Sequence, residues 1–325
     1  MISIGSVQLD TNIFLAPLSG CSDLAFRLIA REGGAKFCFF EMVDAHSLRG
    51  PHDKRFDILK TTPQDAPIGA QLVGETPELM REAARILLDH VPAALLDINS
   101  ACPVKKVIKK GAGAGLLNAP ETLFRIIEAV AAAVAVPVTV KLRIGFHAVN
   151  LPALLDVAQR CEQCGAAALF AHGRTRDQLY SGDVDYAAIR AIKQAVSIPV
   201  FGSGNVFDPI LAKKMLDETG CDGLLVARGA FGNPWIFSAI DHYLRAGGLL
   251  PDVSALTRKA MLKRHLAYIE EFRAGQPKGK IGFMRKVALW YLKGFPNAAK
   301  ARGHVTAAAD YASLLEFIET VLEIS

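Results

Sequence analysis

In the stretch LLDINSACPVKK (residues 95–106), an apolar run stops at Cys102, and Pro103, Lys105 and Lys106 follow closely. A free thiol with a pKa of about 8.5 is protonated at neutral pH yet acidic enough to give up its proton, so a cysteine at a strand mouth can act as a general acid. Proline fixes the backbone beside it, and the lysines offer charge to an anion. Asn99 stands just before, able to hold a polar ring through its amide. Other groups with chemical capacity also end apolar runs: Gln71, Lys141, Arg143, His172, Arg174, Ser203 and Arg228. Any one of them could be a satisfied core residue or a lysine snorkelling at a rim. Recurring at the same end of several strands, so many donors are costly to bury without a ligand. The remaining cysteines read differently. Cys38 and Cys221 lie in or beside apolar runs and suit a small buried hydrophobe, and Cys21 falls in a loop before a helix. Cys161 and Cys164 form a CxxC with no second ligand pair at zinc spacing, so no metal site is expected.

The elements that position these residues follow from periodicity. Eight short apolar, β-rich runs, NIFLAPL, AKFCFFEMV, PIGAQLV, ALLDINS, PVTVKLRIG, AALFAHGR, IPVFGSGN and GLLVARG, alternate with helical windows near residues 23–32, 77–90, 120–134, 151–164, 186–196 and 209–219. This α/β alternation predicts a (β/α)8 TIM barrel over residues 1–245, in which polar residues at strand C-termini ring one mouth. No GxGxxG fingerprint follows the first strand, which argues against an open dinucleotide-binding sheet. Loops after the last two strands of such barrels commonly hold a phosphate, and here they read GSGN (Ser203, Gly204, Asn205) and ARG (Ala227, Arg228). A phosphate there, with Lys141 and His172 across the mouth as donors to an anionic ring, suits FMN. Pyridoxal phosphate would also engage Lys141 but would leave Cys102 without a task.

Composition fits this fold: 51% of the 325 residues are hydrophobic, aromatics are few, and six cysteines in such a chain are expected as reduced thiols. The N-terminus has no basic segment followed by an apolar run, and the longest apolar run is short and interrupted by proline, so a cytoplasmic protein without membrane segments is expected. The net charge of +5 is concentrated: residues 1–252 carry 25 basic and 26 acidic side chains, residues 253–325 carry 12 and 6. In FMRKVALWYLK, Phe283, Met284, Val287, Trp290 and Tyr291 share a helical face, with Arg285, Lys286 and Lys293 expected as a basic stripe opposite. A small all-helical domain over residues 253–325 lying on a phosphate backbone is therefore predicted. A solvated helix surface is the plainer alternative.

The motifs APLSGCSDLAFR, DINSACPVKKV, KKGAGAGLL, VKLRIG, HGRTR with Tyr180 and Gly182 following, and ARGAFGNPWIF occur in order. Together they resemble the tRNA-dihydrouridine synthase family, most closely its bacterial B-type branch, and KGKIGFMRKVALWYL is similar to that family's helical C-terminal domain. The resemblance implies an FMN-dependent barrel with a tRNA-binding domain that reduces particular uridines, NADPH or NADH supplying the electrons, in an enzyme expected to be monomeric. It assigns FMN contacts to Ala16, Pro17, Leu18, Gln71, Lys141, His172, Ser203, Gly204, Asn205, Ala227 and Arg228. Cys102 becomes the proton donor to C5 after hydride reaches C6. Asn99, Arg143, His172 and Arg174 are implied to hold the uracil or its nucleotide, with Lys105, Lys106, Arg285, Lys286 and Lys293 on tRNA. Residues 101–117 form a Gly- and Lys-rich loop that could close over an extruded base. The chain departs from the family pattern at Ser100, Ala101 and the Ser203–Asn205 turn. Two other readings compete: a small-molecule flavoenzyme of the dihydroorotate dehydrogenase type, and a non-catalytic RNA-binding module.

Overall fold

The computed structural model describes residues 1–50, 53–273, 277–293 and 298–321. A two-stranded hairpin, β1 (Ile2–Ile4) and β2 (Val7–Leu9), precedes eight parallel strands: β3 (Ile13–Leu15), β4 (Phe37–Asp44), β5 (Ile68–Val73), β6 (Leu95–Ser100), β7 (Val138–Arg143), β8 (Ala168–His172), β9 (Val200–Ser203) and β10 (Gly223–Val226). They close as β10-β3-β4-β5-β6-β7-β8-β9, the TIM barrel that the eight apolar runs predict. The crossover helices are α1 (Leu24–Glu32), α2 (Pro77–His90), α3 (Lys105–Ile108), α4 (Pro120–Ala131), α5 (Leu151–Gln163), α6 (Tyr186–Ala195), α7 (Pro209–Thr219) and α8 (Ile236–Ala246). Four more follow: α9 (Ala255–Phe272), α10 (Pro277–Tyr291), α11 (Ala298–Ala307) and α12 (Tyr311–Val321).

Local chemistry starts these helices. The side chains of Asp23, Thr76, Asn150, Asp185, Asp208 and Ser254 each accept a hydrogen bond from a first-turn amide, and in α2, α5 and α7 a proline occupies the first turn. Between helices and sheet, the outward faces of the strands build the larger core, for example Leu96, Ile98, Val140, Leu142 and Leu169.

Inside the barrel the alternate residues stack in two layers of opposite character. The lower layer is aromatic: Phe14 lies 4.5 Å from both Phe37 and Phe201, and Phe39 meets Phe170 edge-on at 5.6 Å. Ile4 and Leu9 of the hairpin belong to the same cluster and close it from below. Gly69 is part of this arrangement, since a Cβ there would fall 2.4 Å from the Phe39 ring. The upper layer is polar and begins at Gln71, Asp97 and Thr139, which are paired in register across β5, β6 and β7.

The C-terminal helices have their own core, including Leu262, Leu266, Met284, Val287, Val305, Leu314 and Ile318, and Ala25 of α1 is part of it. The seam with the barrel is aromatic: Phe231 stacks on Trp290 at 4.3 Å with an interplanar angle of 4°, and Phe26 meets both rings edge-on. Polar ties flank it, with Arg273 on Asp23, Arg264 and Tyr268 on Glu32, and Lys286 Nζ donating to the Gly20 carbonyl at 2.9 Å.

The α1 end of that seam is fixed by a fully buried ion pair. Arg27 and Asp65 both have 0% side-chain exposure and meet at 2.8 Å; Arg27 also donates to the Ser22 and Lys60 carbonyls, and its guanidinium lies 4.7 Å from the Phe40 ring centroid. Removing one partner leaves a buried charge without its counterion. Asp65→Ala is therefore expected to lower unfolding free energy by about 3–5 kcal/mol in urea titrations, and a change near zero would mean that this pair does not anchor α1.

Candidate active site

The polar upper layer opens into a cavity of about 470 Å³ at the C-terminal ends of the strands. Its wall includes all eleven residues expected to touch a flavin: Ala16, Pro17 and Leu18 after β3, Gln71 on β5, Lys141 on β7, His172 on β8, Ser203 at the end of β9 with Gly204 and Asn205 after it, and Ala227 and Arg228 after β10. Cys102, Asn99 and Arg143 line it as well. The period of two along each strand is the reason: Lys141 and Arg143, like Asp97 and Asn99, are two apart and face the barrel interior. Arg174 is the exception. It lies behind the wall, donating to the Ser181 and Gly182 carbonyls and to Asn205 Oδ1 at 3.0 Å.

Cys102 is held from several sides. Its amide donates to Asn99 Oδ1 at 2.8 Å, beside that of Ala101 at 3.0 Å, and its carbonyl accepts from Ala114 N at 3.0 Å. Arg143 Nε donates to the Ala101 carbonyl at 2.9 Å, and its Nη1 to the carbonyls of Thr175 and Leu179. Asn99 and Arg143, expected to hold the substrate, thus engage Oδ1 and Nε in fixing the backbone around the thiol, and their other bonds run to Gln71 and to the carbonyls of Thr175 and Leu179. Residues 101–117 are folded as α3 and a 3-10 turn, Gly113–Asn118, rather than as the open flap that their glycines suggest. Lys105 and Lys106 on α3 are exposed beside the cysteine. Burial pushes the Cys102 thiol above the ordinary value of 9.0, against the opposing pull of the Val104 amide, Arg143 and Lys141.

The electrostatics are strongly positive. Burial, then Lys141, Arg143, Arg174 and Arg228, push His172 down to about 2, so it is a neutral imidazole. Its buried Nε2 has no hydrogen-bond partner among the described residues. Lys141 is pushed down to about 8 by burial and then by Arg143, with Asp97 and Cys102 acting the other way. Arg228 lies against the rings of Tyr180 and Phe207, 4.6 and 5.6 Å from their centroids. Gly204 has φ +125°, and a Cβ there would come within 2.9 Å of Val184, so the turn brings bare backbone to the cavity.

Two residues of the site escaped the sequence reading. Asp97 accepts from Gln71 Nε2 at 2.6 Å and from Thr139 Oγ1 at 2.7 Å, and Gln71 Oε1 accepts from Asn99 Nδ2 at 2.7 Å. Asp97 and Thr139 sit mid-strand within apolar runs. The available signal was a carboxylate two residues before Asn99, which strand alternation puts on the same face.

The basic stripe expected on α10 is not free. Arg285 donates to the Ala308 carbonyl and Lys286 to that of Gly20, with Cys21 Sγ 3.2 Å away. Both are half-buried because their side of the helix faces α11 and the barrel lip rather than solvent. Lys259 and Lys263 pair with Glu319, and Lys280 with Glu270. Lys293, Lys300 and Arg302 are the exposed cations at the α10–α11 end. Among the described residues no cluster could hold a metal ion, and no helix is long and apolar enough to cross a membrane. All six cysteines are free, with Cys38, Cys161 and Cys221 buried as apolar groups.

Comparison with known proteins gives the family and the fold. The dihydrouridine synthase family model matches residues 14–324. The chain is 39% identical over 322 residues to tRNA-dihydrouridine synthase B of Klebsiella pneumoniae, covering 98% of each. It is 38% identical over 322 residues to that of Escherichia coli (strain K12), again covering 98% of each, and 39% identical over 311 residues to that of Pseudomonas aeruginosa, covering 95% of this chain and 92% of the other. Among solved structures, the old yellow enzyme from Trypanosoma cruzi superposes with a TM-score of 0.58 at 12% identity, covering 79% of this chain and 94% of that one, a likeness of fold. Morphinone reductase in complex with tetrahydroNAD gives 0.54 at 15% identity, covering 79% and 92%. The chain belongs to the dihydrouridine synthase family.

Proposed function

We propose that this protein reduces uridine to 5,6-dihydrouridine in tRNA, with FMN bound in the barrel-mouth cavity and NADPH or NADH as the source of electrons. The observation that carries this reading is the half-buried, protonated Cys102 thiol in the wall of a cavity whose charged side chains, Lys141, Arg143 and Arg228, are all cationic. The residues fit the cofactor on their own chemistry. The unpartnered His172 Nε2 and the Lys141 ammonium are donors for an electron-rich ring. Arg228 and the bare backbone at Gly204 form a phosphate corner. Bound FMN would supply hydride chemistry. Ala16, Pro17 and Leu18 would pack against it and exclude water. Cys102 would deliver a proton to C5 of the pyrimidine, while Asn99 and Arg143 keep the sulfur in place.

A polyanionic substrate accounts for the exposed cations better than a free pyrimidine does. Lys105 and Lys106 stand beside the reacting thiol, and Lys293, Lys300 and Arg302 lie on the C-terminal helices, which read as the tRNA-binding domain of the chain. Arg174, lodged behind the wall, ties the turn at Ser181 and Gly182 to Asn205 at the cavity edge. Arg285 and Lys286 serve this function indirectly, by fixing the helices and the cavity lip.

Cys102→Ala is expected to keep its flavin absorbance and lose about 10²–10⁴-fold in turnover on tRNA. Dihydrouridine mapping in tRNA from cells carrying wild-type or variant protein checks this, and normal modification by the variant would reject the proton-donor role. The raised thiol pKa makes a second expectation with a definite sign: the protonated form persists through neutral pH, so alkylation of Cys102 by iodoacetamide stays slow and rises with an inflection above 9.0. An inflection below that value would show a thiolate-stabilising pocket, wrong for a proton donor. Replacing Lys105 and Lys106 together with alanine should weaken tRNA binding and flatten its salt dependence by about two charges' worth of slope, with flavin content unchanged.

A further inference from the structure

We propose that Asp97 is a positioning residue: it anchors, as terminal acceptor, a hydrogen-bond chain that runs through Gln71 and Asn99 and ends on the backbone of Cys102. The proposal rests on the reading of Cys102 as the proton donor, and it concerns a buried carboxylate that touches neither the cavity nor the thiol.

The direction follows from counting donors. The amides of Ala101 and Cys102 can only donate, so Asn99 must present Oδ1 to them, at 3.0 and 2.8 Å. Its Nδ2 then faces away, toward Gln71, which must accept through Oε1 at 2.7 Å. Gln71 Nε2 is thereby turned toward Asp97 Oδ2 at 2.6 Å, where only an acceptor satisfies it. The other carboxylate oxygen takes the Thr139 hydroxyl at 2.7 Å. Each amide has one allowed orientation while residue 97 accepts. If residue 97 could not accept, Gln71 Nε2 would be left buried without an acceptor, and flipping the amide to relieve it would set the NH₂ groups of Gln71 and Asn99 against each other, so the chain would lose its anchor either way.

The geometry that builds the chain is local to the sheet. Residues 97 and 99 share the inner face of β6, Gln71 is paired with Asp97 on β5, and Thr139 is paired with it on β7. Asp97 is 1% exposed, so nothing from solvent can replace a lost partner. The Lys141 ammonium, opposite Asn99 in the register, offsets its charge. Gln71 is also a cavity-wall residue, so the chain anchored at Asp97 links the cavity wall to the catalytic loop.

The test uses the flavin-loaded protein. Asp97→Ala is expected to raise the rate of Cys102 alkylation about tenfold, the factor for one lost buried hydrogen bond, and to lower kcat on tRNA by at least that factor while KM for tRNA stays within about twofold. Asp97→Asn retains an acceptor for Gln71 and can donate to Thr139, so it should restore both quantities toward wild type. The Asp97→Ala and Asn99→Ala effects on alkylation should be non-additive, because both break one chain. Should Asp97→Ala fail to fold, Asp97→Ser carries the same test, since its shorter side chain stays near Thr139 but ends short of Gln71. A lowered melting temperature with unchanged alkylation and unchanged kcat would overturn the proposal and leave Asp97 a purely structural group. Additive effects of Asp97→Ala and Asn99→Ala would overturn it as well. Full activity of Cys102→Ala would instead refute the underlying reading, without touching the alkylation result.

Discussion

The constraint on which this structure turns is an excess of positive charge inside a closed barrel. Lys141, Arg143, Arg174 and Arg228 converge around one mouth, and Asp97 is a buried carboxylate beneath them. Below lies a floor of packed phenylalanines that offers no counterion. His172 answers by staying neutral, while burial pushes Asp97 up to about 7 against the opposing pull of the Gln71 and Thr139 hydrogen bonds and of Lys141. Such an arrangement is unfavourable alone and favourable around an anion. A phosphate-bearing cofactor and an RNA backbone are two anions that would complete it.

Much of the barrel is legible in the chain because its signals are local. Asp or Asn ahead of a helix, often with proline next, marks the start of α5 and α7, and apolar runs such as PVTVKLRIG carry both the strand and its polar end. The same alternation that makes Leu142 a core residue turns Lys141 and Arg143 inward, so a cavity can be assembled from strand ends. Asp97 and Thr139 were hidden for the opposite reason. They sit inside strands that read as continuously buried, and their importance depends on pairing with Gln71 across a neighbour in space rather than in sequence.

Tertiary bonds also redirected several charged residues. Lys286 reads as a solvated cation on an amphipathic helix, yet its partner is Gly20, 266 residues away. Arg285 reads in the same way, yet it is bound to the Ala308 carbonyl. Composition counts such charges as available to a ligand, while the fold consumes them as struts, and the RNA-facing set shrinks to the cations that the helices leave exposed. The loop after Cys102 shows the same shift. Glycines and lysines suggest mobility, but the Ala114 amide on the Cys102 carbonyl and two short helical turns make it a rigid bracket.

The aromatic seam between α1, Phe231 and Trp290 carries one more consequence. Ala25 and Phe26 contribute to the barrel wall and to the core of the C-terminal helices at once, so neither unit can melt without uncovering apolar surface of the other. Calorimetry on the intact chain should accordingly register a single cooperative transition, and a fragment cut between α8 and α9 would carry a sticky, self-associating scar where the helices had been.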